Sequence, residues 1–162
     1  MSEIAALADK LQVEGKKIGM FMASLDDGQW SVEVYTEGSV WTVQGVFGHL
    51  LAAERAFVTL FSRVKDGGPG VSDDFDIDRY NAAQQRRTKG LAPSAVIEQF
   101  RSAREQMVMF VYGLGESDLE KKGRHPYLGV VCLRDMIKMI YVHNHAHLRD
   151  VQKALKTKQA AA

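Results

Sequence analysis

Three histidines stand at alternate positions in the segment YVHNHAHLRD, which runs from Tyr141 to Asp150. The apolar residues around them recur at three- and four-residue steps, which predicts an α-helix. Successive residues of an α-helix rotate by about 100°, so His143 and His147 lie about 40° apart on one face, whereas His145 points away. His143 and His147 also continue the apolar stripe of this helix. The spacing therefore predicts an inward-facing HxxxH pair, a geometry suited to holding a divalent cation.

A third histidine, His49, lies in the segment FGHLLAAE, near the apolar stripe of an earlier predicted helix. If the two helices pack together, His49 can join His143 and His147 in a site with three imidazole ligands. Three neutral nitrogens suit zinc, nickel or iron(II). Three protein ligands also leave a coordination position for water or substrate, as in catalytic metal sites. The alternative is that the histidines are paired by chance and bind no metal.

Other metal sites and nucleophilic sites fit the sequence less well. The HExxH motif of metalloproteases requires Glu after the first histidine, whereas this chain has Asn144. Di-iron sites of the ferritin type require inward carboxylates from all four helices. The nearest acids, Glu54 and Asp135, are interpreted as solvent-exposed. Cys132 has no basic neighbour that would activate its thiol, so we interpret it as a small apolar residue at a helix start.

Four long segments with helical periodicity must position these histidines. They span Ser2–Leu25, a helix capped by Thr42 and stopped by KDGGPG, a helix from Pro93 to Gly113, and a helix from about Cys132 to Leu155. The predicted fold class is all-α, a four-helix bundle. The connection between the second and third long helices covers about thirty residues, so we expect it to cross over the bundle. It should carry a short extra helix over residues 75–87. SVEVYTEGSV has strand-like composition and is predicted to be an extended connection, with local strand pairing as the alternative.

Composition limits the classes of protein to which the chain can belong. It has 162 residues, a formal net charge of +1 and one cysteine. The length predicts a single domain over residues 1–157, followed by a disordered tail over 158–162. A single cysteine excludes a disulfide framework and a cysteine-rich zinc site. Without a basic stripe, a secretory signal or a long apolar run, we expect no nucleic-acid or membrane partner and a cytoplasmic location.

Several large side chains fall outside the predicted apolar stripes. They are Trp30, Trp41, Phe75 and Tyr80. Helical bundles of this size often bury a further face, so the sequence predicts a homodimer.

The order of these segments resembles the DinB-like superfamily of four-helix bundles. The resemblance rests on WTVQGVFGHLLAAE, DIDRYN, APSAVIEQF and HPYLGVVCLRDMIKMIYVHNHAH, and it covers the chain from about Leu7 to Leu155. That group includes thiol-dependent transferases and isomerases that use bacillithiol or mycothiol. The resemblance implies a metal held by one histidine of the second helix and two residues of the last helix. By position these are His49, His143 and His147, the residues that the periodicity also selects.

The resemblance also implies which other residues border the site. RYN resembles a loop segment of the family near the pocket, which places Asn81 there, and HPYLG resembles its turn before the last helix, which places His125 there. A surface histidine before a proline is the alternative for His125. The helical glycine Gly45 lies one turn before His49. It either keeps space for substrate at the metal or permits close contact between helices.

Three functions remain open at this point. The first is a metal-dependent enzyme, a thiol S-transferase or a hydrolase, in which a divalent metal activates a low-molecular-weight thiol or water for attack on a small electrophilic substrate. The second is a non-catalytic, metal-binding or stress-induced bundle. The third is a helical oligomerisation domain whose histidines bind no metal. Metal content distinguishes the third function from the other two.

Overall fold

Four long helices and two short ones form the framework of the protein. The computed structural model describes residues 1–161. Its helices are α1 Glu3–Ala23, α2 Asp27–Trp30, α3 Val43–Lys65, α4 Ile77–Thr88, α5 Pro93–Tyr112 and α6 Leu133–Ala161, with a 3₁₀ helix at Glu116–Glu120. Its strands are β1 Glu33–Tyr35, β2 Trp41–Thr42, β3 Lys122–His125 and β4 Gly129–Cys132. The four long helices, α1, α3, α5 and α6, confirm the predicted four-helix bundle.

Side-chain caps set the first residues of the long helices. The Ser2 hydroxyl accepts a hydrogen bond from the Ala5 backbone N–H at 3.1 Å, and Thr42 accepts one from Gly45 at 3.2 Å. Each bond satisfies a backbone donor that has no partner within the helix. In α5, Pro93 takes the first helical position, where its missing N–H costs nothing. The predicted starts at Thr42 and Pro93 are confirmed.

Two clusters of buried apolar residues fill the bundle, one toward each end. The first combines the start of α1 with the ends of α3 and α5 and the start of α6. The second combines the end of α1 with the starts of α3 and α5 and with Val151 of α6. Helices α1 and α6 therefore run parallel to each other and antiparallel to α3 and α5. Between the two clusters lies a polar layer, which holds the buried side chains of His49, Glu54, Arg104 and His143.

The long connection between α3 and α5 follows from their shared direction. Because the two helices are parallel, the chain must return along the bundle before α5 can begin. Residues 66–92 make this return and carry α4, which packs on α3. The predicted crossover with a short extra helix is confirmed.

Two β-hairpins depart from the preferred predictions. The preferred prediction of an extended connection after α1 was wrong, and the alternative of local pairing describes the segment, since β1 pairs antiparallel with β2. The segment before α6 forms a second hairpin, in which β3 pairs with β4 from Lys122 opposite Cys132 to His125 opposite Gly129. Strands of two to four residues are too short to show an alternating pattern in the sequence.

Two further expectations, one about the C-terminal tail and one about Trp30, differ from the structure. Helix α6 continues through residues 158–161, where we expected disorder, and Ala162 lies outside the described residues. Trp30 was one reason to expect a dimer, but its ring is 4% exposed and packs in the second apolar cluster. The dimer stays a prediction. Within residues 1–161, no helix combines the length and apolar character needed to cross a membrane.

Candidate metal centre

The antiparallel packing of α3 and α6 brings three imidazoles together at the level of the polar layer. One nitrogen from each of His49, His143 and His147 lies within 4.8 Å of the other two. The ring centroids are 4.7 to 4.9 Å apart, so they form a nearly equilateral triangle. The ring planes are steeply inclined to one another, at 65 to 83°. His145 is exposed, as the helical register predicts.

Burial keeps these imidazoles neutral. It lowers the pKa of His49 to about 3 and that of His147 to about 4, and in both cases the neighbouring histidines lower the pKa further. Burial also lowers the pKa of His143. Neutral imidazole is the form that binds a metal.

The two closest nitrogens indicate where an ion would fit. Nε2 of His49 and Nε2 of His143 are 2.9 Å apart, so in the metal-free chain one of them donates a hydrogen bond to the other. Ligand nitrogens that each lie about 2.0–2.1 Å from a shared ion must themselves be about 3 Å apart. The three residues therefore fit a divalent metal with little rearrangement.

A tyrosine of the first hairpin fixes the protonation of His147. The Tyr35 hydroxyl donates to Oδ2 of Asp150 at 2.8 Å, and it lies 2.8 Å from Nδ1 of His147. Because its one proton goes to Asp150, the hydroxyl accepts from His147, whose proton must then sit on Nδ1. This leaves the Nε2 lone pair of His147 free for a metal. The burial of Tyr35 and its bond to Asp150 both raise the pKa of the phenol, which keeps that proton in place.

The first hairpin also covers the histidine cluster. The Trp41 ring lies 5.1 Å from the His49 ring, and the Tyr35 ring lies 5.9 Å from the His147 ring. Sequence reasoning treated this segment as a plain connection and missed Tyr35. Its strands are short, and its partners Asp150 and His147 lie more than a hundred residues away in the chain.

His125 lies beside the cluster and is not part of it. It is 1% exposed, and its ring stacks on Phe57 with a centroid distance of 5.4 Å. Its Nδ1 accepts hydrogen bonds from the backbone N–H groups of Tyr127 and Leu128, so in the neutral ring Nε2 carries the proton. That Nε2 has no partner among the described residues, and neither has Nδ1 of His143. Burial, and secondarily His143, lowers the pKa of His125 to about 4.

A cavity of about 340 Å³ adjoins the cluster. His49 and His143 form part of its wall, and so does Asn81, as the resemblance implied. The remaining lining comes from α3, the crossover segment and the turn of the second hairpin. His125 itself is absent from the lining, although the next residues, Pro126 and Tyr127, belong to it.

The structure places Gly45 at a contact between helices. Gly45 is not among the residues that line the cavity. Its carbonyl accepts a hydrogen bond from Gln85 of α4 at 2.8 Å, and an added Cβ would lie 2.8 Å from Oε1 of Gln85. Gly48 makes a similar approach to Thr88. The hypothesis that Gly45 keeps space for substrate was wrong, and the helix-contact alternative describes it.

The interpretation of Glu54 as solvent-exposed was also wrong. Glu54 is 1% exposed and forms an ion pair with Arg104, which is 4% exposed. Nε of Arg104 donates to Oε2 of Glu54 at 3.0 Å, and a second guanidinium nitrogen donates to the Leu11 carbonyl at 2.9 Å. An added Cβ at Gly15 would collide with Cγ of Arg104, so this glycine makes room for the arginine. Asp135 is exposed as predicted.

A family model described as the DinB superfamily matches residues 11–151. The chain belongs to the DinB superfamily. A search of curated proteins found no match.

Several solved structures share this fold at low sequence identity. YfiT from Bacillus subtilis, described as a probable metal-dependent hydrolase with an unusual four-helix bundle topology, superposes with a TM-score of 0.78 at 15% identity, covering 99% of this chain and 90% of that one. A mycothiol-dependent maleylpyruvate isomerase superposes with a TM-score of 0.75 at 12% identity, covering 93% of this chain. This DinB protein spans only 61% of the isomerase's length. A protein from Escherichia coli UTI89 gives a TM-score of 0.67 at 14% identity, covering 97% of this chain and 93% of that one.

Proposed function

We propose that this protein is a metal-dependent enzyme in which His49, His143 and His147 bind one divalent ion, zinc, nickel or iron(II). The observation that carries the proposal is the convergence of three neutral imidazoles, of which His49 and His143 are buried and form part of the wall of a cavity. Within residues 1–161 the cluster contains no fourth ligand of the His, Cys, Asp or Glu type. Three protein ligands are typical of catalytic sites, whereas structural zinc sites usually have four.

A bound divalent metal would lower the pKa of a thiol or a water molecule that coordinates it. The deprotonated thiol or water is then a nucleophile at neutral pH. The protein's own residues prepare the site. Tyr35 and Asp150 hold His147 in one tautomer and one orientation. Trp41 and Phe57 pack beside the imidazoles and exclude bulk water. The apolar cavity wall then holds a small organic electrophile next to the histidines.

Two reaction classes follow from this arrangement. Attack by a low-molecular-weight thiol gives an S-transferase, and attack by water gives a hydrolase. The names of the two structural neighbours, a mycothiol-dependent isomerase and a probable metal-dependent hydrolase, point to the same two classes. At 12 and 15% identity they support the fold alone, so the nucleophile must be determined by experiment.

The first experiment is metal analysis of protein purified without an affinity tag or chelator. We expect about one divalent ion per chain, its loss in His49→Ala and His143→Ala, and its retention in the matched variant His145→Ala. Thiol-transfer and hydrolysis assays on the metal-loaded protein then decide between the two classes. A protein that takes up no zinc, nickel or iron(II) would contradict the proposal.

We also propose that the protein acts in the cytoplasm as a homodimer. Exposed apolar side chains on the adjacent helices α1 and α5, among them Met20, Met109 and Tyr112, offer a surface for a second copy. Light scattering at micromolar concentration tests the dimer, and a monomer mass would contradict it.

A further inference from the structure

The cavity beside the histidines is elongated along α3. Its α3 wall runs from His49 to Arg63 through three alanines, Ala52, Ala53 and Ala56, whose small side chains leave the space open. Fourteen positions separate His49 from Arg63, which corresponds to about 21 Å along a helix axis. The opposite wall is apolar and comes largely from the crossover segment before and within α4. A ligand that fills this space must therefore be long and mostly apolar.

The charge of the cavity is concentrated at the end far from the histidines. Arg63 lies there, and none of the residues that line the cavity is an aspartate or a glutamate. Arg63 is exposed, and among residues 1–161 no carboxylate lies within ion-pair distance of its guanidinium, whereas the half-buried Arg124 is paired with Asp73. A guanidinium presents a planar fork of donors that matches a carboxylate. The arrangement therefore favours an anionic group at that end.

We propose that the cavity binds an elongated, mainly apolar monoanion of the carboxylate class. The carboxylate pairs with Arg63, and the apolar body passes over the alanines toward His49 and His143. This inference rests on the proposed function in one respect only: the end of the ligand that reacts is assigned to the histidines. Binding itself requires the cavity and Arg63, not the metal.

The test of the charged end compares three probes that differ only in their head group: dodecanoate, dodecanol and dodecyltrimethylammonium. Isothermal titration below their micelle concentrations, on metal-loaded and metal-free protein, should rank dodecanoate first and the cation last. Arg63→Gln should weaken dodecanoate binding about threefold, as expected for an ion pair with an exposed arginine, and leave dodecanol unchanged. Arg86→Gln, an exposed arginine outside the cavity lining, removes the same charge and should change nothing.

The test of the apolar body uses Ala56→Leu, which places a larger side chain in the middle of the α3 wall. Dodecanoate binding should be lost, whereas Ala82→Leu, at an exposed position of α4, should retain it. Equal affinity for all three probes, or unchanged dodecanoate binding in Arg63→Gln, would overturn the assignment of Arg63. Absence of binding by any probe would overturn the ligand class. Metal content of the same samples is measured separately, so a protein that binds metal but no dodecanoate refutes this inference and leaves the proposed function standing.

Discussion

Two buried polar clusters lie at the same level of the bundle, and they differ in how completely their atoms are paired. In the ion pair, Glu54 receives two hydrogen bonds from Arg104, which also donates to the Leu11 carbonyl. In the histidine cluster, His49 and His143 share one hydrogen bond, and Nδ1 of His143 has no partner among the described residues. The cavity of the histidines reaches two of the three imidazoles, whereas the groove between α1 and α5 that reaches Arg104 leaves its partner Glu54 1% exposed.

The difference separates a structural polar cluster from one that is arranged for a ligand. Buried polar groups normally find partners, since an unpaired one costs about 1–3 kcal/mol. The ion pair meets this requirement within the chain and needs nothing more. The histidine cluster meets it only in part, because within residues 1–161 the facing Nε2 atoms of His49 and His143 have only each other as partners, and a metal ion would use their lone pairs and that of Nε2 of His147. The following predictions test this contrast, from the largest expected effect to the smallest.

Breaking the ion pair should cost the most stability. Arg104→Met leaves the Glu54 carboxylate buried without a partner, so we expect a loss of about 3–5 kcal/mol in the free energy of unfolding. The double variant Glu54→Leu with Arg104→Met removes both charges and should recover most of that loss. Urea denaturation measures the free energy of unfolding of the single and the double variant. If Arg104→Met has wild-type stability, the Glu54 carboxylate is not buried as the structure describes.

Removing a histidine should lower the metal affinity strongly and the stability of the metal-free protein only slightly. His143→Ala deletes a metal ligand, and ligand sets of four contribute about 10–16 kcal/mol of binding free energy in total. A loss of about 3 kcal/mol in metal binding is therefore expected, with a smaller change in the stability of the metal-free protein. Competition with a chromophoric chelator measures the affinity. Wild-type affinity in His143→Ala, or a comparable loss in His145→Ala, would refute the assignment.

Acid should destabilise the metal-free protein through its histidine cluster. The pKa values of His49, His143 and His147 are lowered in the folded chain, so below the usual imidazole pKa of about 6.5 the unfolded state takes up protons first. Stability of the metal-free protein should therefore be constant above that pH and fall as the pH decreases toward about 4, the pKa of His147. Thermal unfolding at a series of pH values measures this, with His49→Gln showing a shallower decline. A stability that rises on acidification would contradict the burial of neutral imidazoles.

Tyr35→Phe should affect the metal without affecting the fold. The variant keeps the ring but removes the hydroxyl that accepts from His147, so we expect a loss of about tenfold to a hundredfold in metal affinity. In the metal-free protein, nitrogen chemical shifts should show His147 changing from one tautomer to a mixture. Tyr112→Phe removes a hydroxyl bonded to Asp9 on the far side of the bundle and serves as the control. An unchanged tautomer in Tyr35→Phe would show that another group orients His147.

The long helices and the histidine register were predictable because both depend on local periodicity and on caps. The ion pair was also predictable from the positions of Glu54 and Arg104 in the sequence, although we did not predict it. Glu54 falls in the apolar stripe between Phe47 and Phe61, and Arg104 falls between Phe100 and Met107. Opposite charges within the stripes of two helices indicate a buried pair.

The first hairpin and the surroundings of Gly45 left no comparable signal. Tyr35 sits in a strand of three residues, and its role depends on partners more than a hundred positions away. Periodicity shows that a glycine lies near an inward-facing residue, but it does not show which helix packs over that glycine. Both features are set by tertiary packing.

The smallest effect is expected at Gly45, which lies outside the cavity lining and belongs to neither polar cluster. In Gly45→Ala the added methyl group meets Oε1 of Gln85, the far end of a flexible side chain that can move aside. The better helix propensity of alanine, about 1 kcal/mol, should offset the displaced contact, so stability should change by less than about 1 kcal/mol. Gly48→Ala is the matched comparison, because its methyl group would lie 2.9 Å from Cβ of Thr88, which cannot move without α4. That variant should lose about 1–3 kcal/mol, as overpacked positions do. Equal stability of the two variants would mean that α4 is held less closely against α3 than the structure describes.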